Sequence, residues 1–526
     1  MVPALNSKDM IFETTIMSAP RAQKKPSRLG RPMGLIVSHR PVFPPENRYF
    51  PIPIYTESSH ETPPISRIFS AIKRAINTGR PYFRSLLSIF IFSAIRFKYV
   101  FLFTSPMNTV TDTILWIIYI LLMYLNIFWL IVYFLDGDKW VPKKRPKDEP
   151  KVSLVIPAHN EEKVIASTME HAIAIDYPRN KYEIIVAVNA STDDTVKIAR
   201  RIKKEYKETN IKIISTREKG KGIALNRALK IVKGDFFVLL DADSYAEPKA
   251  LKKLLPYFRE DSSIACVLPM MKVAAPKNFL QKLQRHEYIL SIFFKRIMGN
   301  LDCVHVAPGP FSVYRTEILR RLGGFSHPNL TEDLEITLKL HKHHYRVIQT
   351  TDAEVRTIAP EGLKDLYKQR NRWYKGSIFN SVSKDYRKMW FNREYGDFGF
   401  IQMPTIIVPG FLAVIMFSIY TYYFLEKAYD AIFRIYAINF DLPTVVSNLN
   451  LGFNILDGDY TKLLIAALML FLGAITFILS HRMVNEKVFR YGKLTTLVFL
   501  LMYPFFLAFV WSAIVIEIIF SRVQEW

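Results

Sequence analysis

Short apolar runs alternate with amphipathic stretches through the middle of the chain. The apolar runs are Val152–Ile156, Glu183–Val188, Ile211–Ile214 and Phe236–Leu240, and the helical segments between them lie near Glu162–Ile175, Asp194–Tyr206 and Ile223–Val232. This strand–helix rhythm predicts right-handed crossovers and a mostly parallel sheet, which is an α/β fold. Ligands of such sheets bind beyond the carboxyl ends of the strands. Asp241 and Asp243 follow the fourth run, at such an end.

Longer apolar stretches flank this region, and four of them are long enough to cross a bilayer. They are Ile114–Leu135, Gly399–Leu425, Leu463–Ser480 and Leu494–Phe520. A fifth stretch, Ser85–Thr104, is interrupted by Arg96 and Lys98. The basic residues before this stretch and after Ile114–Leu135 can both stay on the cytoplasmic side only if Ser85–Thr104 also crosses. We therefore expect five crossings, with four as the alternative.

The composition narrows the class of partner. Of 526 residues, 50% are hydrophobic and 14% aromatic, and the formal net charge is +24. Much of the Lys and Arg flanks apolar segments and no nucleic-acid-binding motif is found, so the basic charge indicates a membrane and not a nucleic acid as partner. Residues 1–84 carry twelve Pro and thirteen Lys or Arg against five Asp or Glu, which predicts a disordered basic tail. Two cysteines, Cys266 and Cys303, make neither a disulfide framework nor a zinc site.

Three short phrases carry the candidate chemistry. Asp241-Ala242-Asp243 places two carboxylates where Mg²⁺ could bridge the phosphates of a ligand. Thr331-Glu332-Asp333 places two more side by side, either as a catalytic acid pair or as the capped first turn of a helix. Gln369-Arg370-Asn371-Arg372-Trp373 adds guanidinium groups that can bind phosphate and an indole that can stack on a sugar.

Together these phrases resemble the membrane-bound, polymerising members of the family 2 glycosyltransferases, which include poly-N-acetylglucosamine, hyaluronan, chitin and cellulose synthases. The resemblance covers residues 151–376 strongly and the membrane segments in outline. It implies a GT-A (Rossmann-like) glycosyltransferase domain beside a helical transmembrane domain with interfacial helices. The mixture of apolar and basic residues over Phe279–Met298 itself predicts one such interfacial helix. The wording of Thr331–Asp333 and of Lys368–Trp373 is most similar to the poly-N-acetylglucosamine synthase branch.

The resemblance also implies a role for individual residues. Asp333 is the expected general base, with Glu332 beside it, and Asp243 the expected ligand of Mg²⁺ or Mn²⁺. Gly309 and Trp373 would bind the acceptor. The nucleotide sugar would contact Pro157, Asn160, Glu161, Asn189, Lys221, Asp241, Gln369 and Arg372. Asn189 stands where the family has a carboxylate near the base, although its amide can still pair with uracil.

These expectations divide the chain into five parts: a tail over 1–84, a transmembrane hairpin over 85–138, a cytoplasmic glycosyltransferase domain over 139–360, interfacial helices over 361–398 and transmembrane helices over 399–526. The expected activity is inverting elongation of a β-linked polysaccharide from a UDP-sugar, at the plasma membrane. The expected partners are a nucleotide-sugar donor, a growing glycan or lipid acceptor and the bilayer. The alternative is transfer of a single sugar to a lipid carrier, and a degenerate domain in a transporter is a more remote one.

Overall fold

The structure is a computed structural model that describes residues 110–135, 149–437, 439–441, 443 and 460–520. The predicted tail over 1–84 and the predicted crossing Ser85–Thr104 lie outside these residues. The choice between four and five crossings depends on that fifth stretch.

An eight-stranded sheet forms the centre of the α/β region. Its strands are β1 (Val152–Ala158), β2 (Tyr182–Asn189), β3 (Ile211–Thr216), β4 (Phe236–Leu239), β5 (Ser244–Ala246), β6 (Ile264–Val273), β7 (Ser312–Arg315) and β8 (Arg346–Thr357). The spatial order is β3-β2-β1-β4-β7-β6-β8-β5. The four predicted apolar runs are β1 to β4, and all of them except β3 are almost wholly buried.

The sheet is mostly parallel, as predicted, but it also contains antiparallel strands. Four of its seven strand pairings are parallel, and they include the long pairing of β6 with β8. β3, β2, β1 and β4 pair in parallel, as the strand–helix rhythm predicts. Beyond them β7 runs antiparallel to both β4 and β6, and β5 runs antiparallel to β8. These strands are short or are reached by long connections, so no regular alternation in the sequence reports their direction.

Helices cover the sheet and continue into the apolar region. In chain order they are α1 (Val110–Leu135), α2 (Ile165–Ile173), α3 (Thr195–Glu205), α4 (Lys221–Ile231), α5 (Ala250–Leu254), α6 (Tyr257–Glu260), α7 (Phe279–Met298), α8 (Thr316–Arg321), α9 (Glu332–Lys342), α10 (Leu363–Val382), α11 (Met403–Ala437), α12 (Tyr460–Met483), α13 (Lys493–Leu501) and α14 (Tyr503–Ile519). Phe128, Trp129 and Val132 of α1 share one core with the sheet and with Phe293 of α7. The first apolar helix is thus packed directly on the α/β region.

Four apolar spans in the described chain are long enough to cross a membrane: 110–135, 398–437, 460–483 and 493–519. They correspond to the four predicted stretches. The last span is broken into α13 and α14 at Met502. Pro504 cannot continue the hydrogen bonding of α13, but in the first turn of α14 its missing N–H needs no partner within the helix. Polar contacts join the others: Thr111 with Tyr423, Lys462 with Asp112, and Thr476 with Asn126.

Candidate functional site

The first part of the site lies where β1 and β2 end. Asn160 adopts a left-handed conformation (φ 54°), and its backbone N–H donates to Ser191 Oγ at 3.0 Å. Its side-chain oxygen accepts from the Thr192 N–H at 2.9 Å. Pro157 lies within buried β1, two residues before the strand's polar loop. Asn160 therefore joins the loop after β1 to the loop after β2 through one contact with a side chain and one with the backbone.

Asn189 is the last residue of β2, and it is buried. Its side-chain Oδ1 has no hydrogen-bond partner among the described residues. Such an atom costs free energy in the folded chain unless a ligand or water satisfies it. The adjacent Ala190 has φ 46° and donates to Thr216 O, which turns the chain away from the strand. The amide is thus available to a donor group on a bound base.

Three carboxylates converge at the end of β4. Burial raises the pKa of Glu161 to about 7, with the negative charges of Asp243 and Asp241 adding to the effect. Burial and the charge of Asp241 likewise raise the pKa of Asp243. Asp243 Oδ1 accepts from Ser244 Oγ at 2.8 Å. Carboxyl groups that repel each other's ionisation in this way would be stabilised by a cation between them.

Lys221, at the start of α4, joins two of the predicted motifs. Its ammonium group lies 2.8 Å from Asp241 Oδ1 and 2.7 Å from Glu332 Oε1. Burial alone would lower the pKa of Lys221, but the two carboxylates outweigh burial and the net direction is upward. The ammonium group is therefore a fixed positive charge between the end of β4 and the start of α9.

Asp333 lies beside this bridge, in the first turn of α9. Burial raises the pKa of Asp333 to about 6, the charge of Glu332 adds to this, and Lys221 and Arg372 oppose it. Burial also raises the pKa of Glu332, but Lys221 outweighs burial and the net direction is downward. The two adjacent carboxyl groups therefore differ in pKa: that of Glu332 is lowered and that of Asp333 is raised. Glu332 is the ion-pair partner, and Asp333 is the group able to take up a proton near neutral pH.

Gly309 lies directly against the carboxylate of Asp241. A Cβ at position 309 would stand less than 3.0 Å from both carboxylate oxygens of Asp241. No side chain fits there, so the loop at 307–311 passes over the acidic cluster at van der Waals distance. Gly309, which is predicted to bind the acceptor, therefore lies against Asp241, which is predicted to contact the nucleotide sugar.

Helix α10 packs against the loop before α9. Arg372 Nη1 donates to Leu330 O at 3.1 Å, and Asn380 Nδ2 donates to Thr331 Oγ1 at 3.0 Å. Between them a Cβ at Gly376 would stand less than 3.0 Å from Thr331 Oγ1. The structure thus brings Arg372 to the loop that directly precedes Glu332 and Asp333.

The sequence indicated Arg370 as a possible phosphate-binding group, but its guanidinium group is bound to another helix, a role that the sequence did not reveal. Arg370 has no exposed surface, donates to both carboxylate oxygens of Glu287 in α7 (3.0 and 2.5 Å) and lies 4.3 Å from the centre of the Trp373 ring. The Gln369 oxygen accepts from Arg370. One face of Trp373 is therefore occupied by a guanidinium group and not left open. No pattern in the sequence indicates that Arg370 is buried, because its partner Glu287 lies far away along the chain.

The residues at the end of β4 fit a divalent cation in part. No group of three or more His, Cys, Asp or Glu side chains with metal-site geometry is found in the part of the chain that the structure describes. Mg²⁺ is commonly held by one or two carboxylates together with phosphate oxygens. The raised pKa of Asp243, which burial and Asp241 cause, is consistent with a carboxylate that lacks its counter-charge.

Sequence comparison relates the chain to glycosyltransferases. A family model described as glycosyltransferase like family 2 matches residues 150–376. A probable glycosyltransferase, YdaM, of Bacillus subtilis (strain 168) is 31% identical over 257 residues, which are 47% of this chain and 60% of the relative. A poly-β-1,6-N-acetyl-D-glucosamine synthase of Staphylococcus aureus (strain COL) is 27% identical, over 48% of this chain and 63% of the relative. The chain thus spans less than two thirds of the length of these two relatives.

Two further matches extend the comparison. A β-monoglucosyldiacylglycerol synthase of Nostoc sp. (strain PCC 7120 / SAG 25.82 / UTEX 2576) is 29% identical, over 43% of this chain and 49% of the relative. Among solved structures, a mannosyltransferase from Pyrobaculum calidifontis in complex with GDP-mannose and Mn²⁺ aligns with a TM-score of 0.50 and 18% identity. That alignment covers 77% of this chain and 99% of the mannosyltransferase, and it supports the predicted GT-A-like fold.

Proposed function

We propose that this chain, whose residues 150–376 are a family 2 glycosyltransferase domain, elongates a β-linked polysaccharide from a UDP-sugar at a membrane. Similarity to the poly-β-1,6-N-acetyl-D-glucosamine synthase of Staphylococcus aureus favours UDP-N-acetylglucosamine or a similar sugar nucleotide as the donor for this chain. The four apolar spans support a multi-pass membrane protein. The basic residues that follow Ile114–Leu135 favour a cytoplasmic location for its catalytic domain. Expected partners are the donor, the growing glycan and the bilayer.

The observation that carries this proposal is the pair Glu332 and Asp333 at the start of α9. Glu332 is bound to Lys221, whereas burial and the charge of Glu332 raise the pKa of Asp333 to about 6. A sugar hydroxyl must lose a proton as it attacks, and a carboxylate of this pKa is a suitable acceptor near neutral pH. A phosphate acceptor on a lipid is already ionised and needs no such base. The site therefore favours a hydroxyl acceptor over a lipid phosphate.

In the proposed reaction the acceptor hydroxyl attacks the anomeric carbon while Asp333 takes its proton. The bond from the anomeric carbon to the diphosphate oxygen breaks on the opposite face, which inverts the configuration. Lys221 and Arg372 supply positive charge around the leaving diphosphate. Asn189 accepts a hydrogen bond from the base through its otherwise unpaired Oδ1. Trp373 orients the acceptor by the edge that Arg370 does not cover.

A divalent cation, Mg²⁺ or Mn²⁺, would be held by Asp243, with Asp241 near the nucleotide. When bound, it supplies counter-charge to the diphosphate.

The test is transfer by the purified protein in lipid across a panel of UDP- and GDP-sugars with Mn²⁺. Wild type should give high-molecular-weight carbohydrate that a matching polysaccharide hydrolase digests. Asp333→Asn should still bind the sugar nucleotide, while turnover falls by roughly 10²–10⁴, the usual range for a lost general base. Asp176→Asn is the matched control, since Asp176 makes only an exposed ion pair with Lys252.

Two outcomes would contradict the proposal. A product that is only a lipid carrying one sugar would replace elongation by the single-transfer alternative, for which the glycolipid synthase from Nostoc is a precedent. Unchanged turnover in Asp333→Asn would remove Asp333 from the role of general base.

A further inference from the structure

A carboxylate in the last apolar helix is bound to the helix that carries the Gln-x-x-Arg-Trp motif. Glu517 of α14 accepts from Tyr367 Oη at 2.9 Å and from Asn371 Nδ2 at 3.1 Å, and it forms an ion pair with Lys375. Lys375 is almost completely buried. Charged side chains in apolar helices are costly and rarely retained without a role. These three partners of Glu517 are all on α10.

These contacts lie along one face of α10. Tyr367, Asn371 and Lys375 are spaced by four residues, so they are neighbours along the helix. Tyr374 on the same side stacks on Trp511 of α14, with ring centres 5.1 Å apart. The two helices are therefore joined by both polar and aromatic contacts over two turns.

The opposite face of α10 carries the contacts with the catalytic loop. At 100° per residue, Gly376 lies about 180° round the helix from Tyr367, about 140° from Asn371 and about 100° from Lys375. Arg372, Gly376 and Asn380 share this face and all touch residues 330–331, directly before Glu332 and Asp333. Helix α10 is thus a rigid spacer, with Glu517 on one side and the catalytic loop on the other.

We propose that Glu517 is a positioning residue for sugar transfer: it holds α10 at the distance from α9 at which Arg372 and Trp373 meet the reacting groups. The inference rests on the proposed function and adds to it a dependence on a residue of the apolar region. Glu517 itself touches neither donor nor acceptor. Its effect is carried by the body of α10, because Gly376 leaves no slack between that helix and Thr331.

The test uses the full-length protein in lipid with Glu517→Gln. The amide keeps an oxygen for Tyr367 and Asn371 but removes the charge opposite Lys375. Misplacement by about an ångström costs around a hundredfold in rate. We therefore expect kcat for transfer to fall roughly ten- to a hundredfold, with KM for the sugar nucleotide unchanged and a larger share of donor lost to hydrolysis.

A charge swap tests the pairing itself. Lys375→Glu combined with Glu517→Lys restores opposite charges, and Asn371 can follow because its amide both donates and accepts. We expect the swap to recover transfer relative to Glu517→Gln. The matched control is Asp112→Asn, which breaks the 2.9 Å pair with Lys462 between α1 and α12, away from α10. We expect this control to leave the ratio of transfer to hydrolysis at its wild-type value.

Each result decides the matter. Wild-type kcat in Glu517→Gln, no recovery in the swap, or an equal loss in Asp112→Asn would each overturn the positioning role. Absence of transfer by wild type from every sugar nucleotide would instead overturn the proposed function, which is a distinguishable failure.

Discussion

At the scale of single residues, burial and neighbouring charge give chemically similar carboxyl groups of the site different pKa values. Glu332 and Asp333 are adjacent carboxylates, yet Lys221 pairs with only one of them. Burial and the charge of Glu332 raise the pKa of Asp333 to about 6. Burial also raises the pKa values of Glu161 and Asp243. A carboxylate with this environment can act as a base near neutral pH, whereas its ion-paired neighbour serves to hold Lys221.

The pH dependence of transfer follows from Asp333. A general base must be deprotonated, so kcat should rise with pH through about 6 and fall below it. Glu332→Gln removes the like charge that raises the pKa of Asp333. It also removes one of the two carboxylates that neutralise Lys221, whose positive charge lowers the pKa of Asp333. Both changes favour the carboxylate form, so the rising limb should move to lower pH. The measurement is a kcat–pH profile for wild type and variant at saturating donor.

A limb that stays in place or moves to higher pH in Glu332→Gln would contradict this account. Asp176→Asn serves again as the control, because its exposed pair with Lys252 is remote from the charges that act on Asp333.

At the scale of elements, helix α10 links the loop before α9 to the apolar helices. The sequence predicts that this helix lies at the membrane interface and that it carries the Gln-x-x-Arg-Trp motif. The two predictions are compatible, because different faces of the helix contact α14 and the loop before α9. Arg370 on a third side binds Glu287 of α7, whose carboxylate also accepts from Tyr503 of α14 at 2.6 Å. The carboxylate of Glu287 therefore joins helices α7, α10 and α14.

The close approach of α10 to the loop before α9 predicts a specific sensitivity. In Gly376→Ala the new methyl group would stand less than 3.0 Å from Thr331 Oγ1, so one of the two elements must move. We expect transfer to fall more than about tenfold, in line with the cost of small misplacements, while nucleotide binding at the end of β4 is kept. The measurements are kcat and the Kd of the sugar nucleotide.

Gly473→Ala is the matched control for this prediction. Gly473 lies in α12. Apart from its chain neighbours and the adjacent backbone of its own helix, no atom of the described residues lies within 4 Å of the position of the new methyl group. Alanine is also a better helix former than glycine. Equal losses of transfer in the two variants would show that the close contact at Gly376 has no particular importance.

At the scale of the whole molecule, the apolar helices and the α/β region are packed as one unit. The segment after α12 is fixed to the sheet: Lys272 of β6 and Arg285 of α7 both pair with Glu486. His286 and His481 are in contact at 2.9 Å nearby. The C-terminal end of α12 therefore lies on the side of the catalytic domain, and the far end of α11 is separated from it by a 35-residue helix.

The proposed topology can be tested with thiol reagents in intact cells. Cys266 and Cys303 are fully buried, so the native chain should give little labelling. Asp441→Cys, beyond the far end of α11, should react with an impermeant maleimide. Lys487→Cys, in the segment fixed to the catalytic domain, should react only after the membrane is permeabilised. Labelling in the reverse order would place the catalytic domain outside the cell.

The local features of this protein were determined by the sequence alone. Apolar runs of four to eight residues and of about twenty report strands and spans because burial is a local demand on side chains. Four strands, the four apolar spans and the extent Phe279–Met298 of helix α7 were accordingly predicted. The carboxylate motifs were also found, because they are contiguous along the chain.

What joins these pieces was decided by the tertiary structure. The directions of β5 and β7 depend on pairing with β8 and β4, which lie far from them along the chain. The bridge from Lys221 to Asp241 and Glu332 depends on how the fold brings three distant segments together. The partners of Arg370 and Lys375 are Glu287 and Glu517, which lie far away along the chain. Ion pairs and pKa values depend on distance and burial in space, and a sequence without its fold does not specify either.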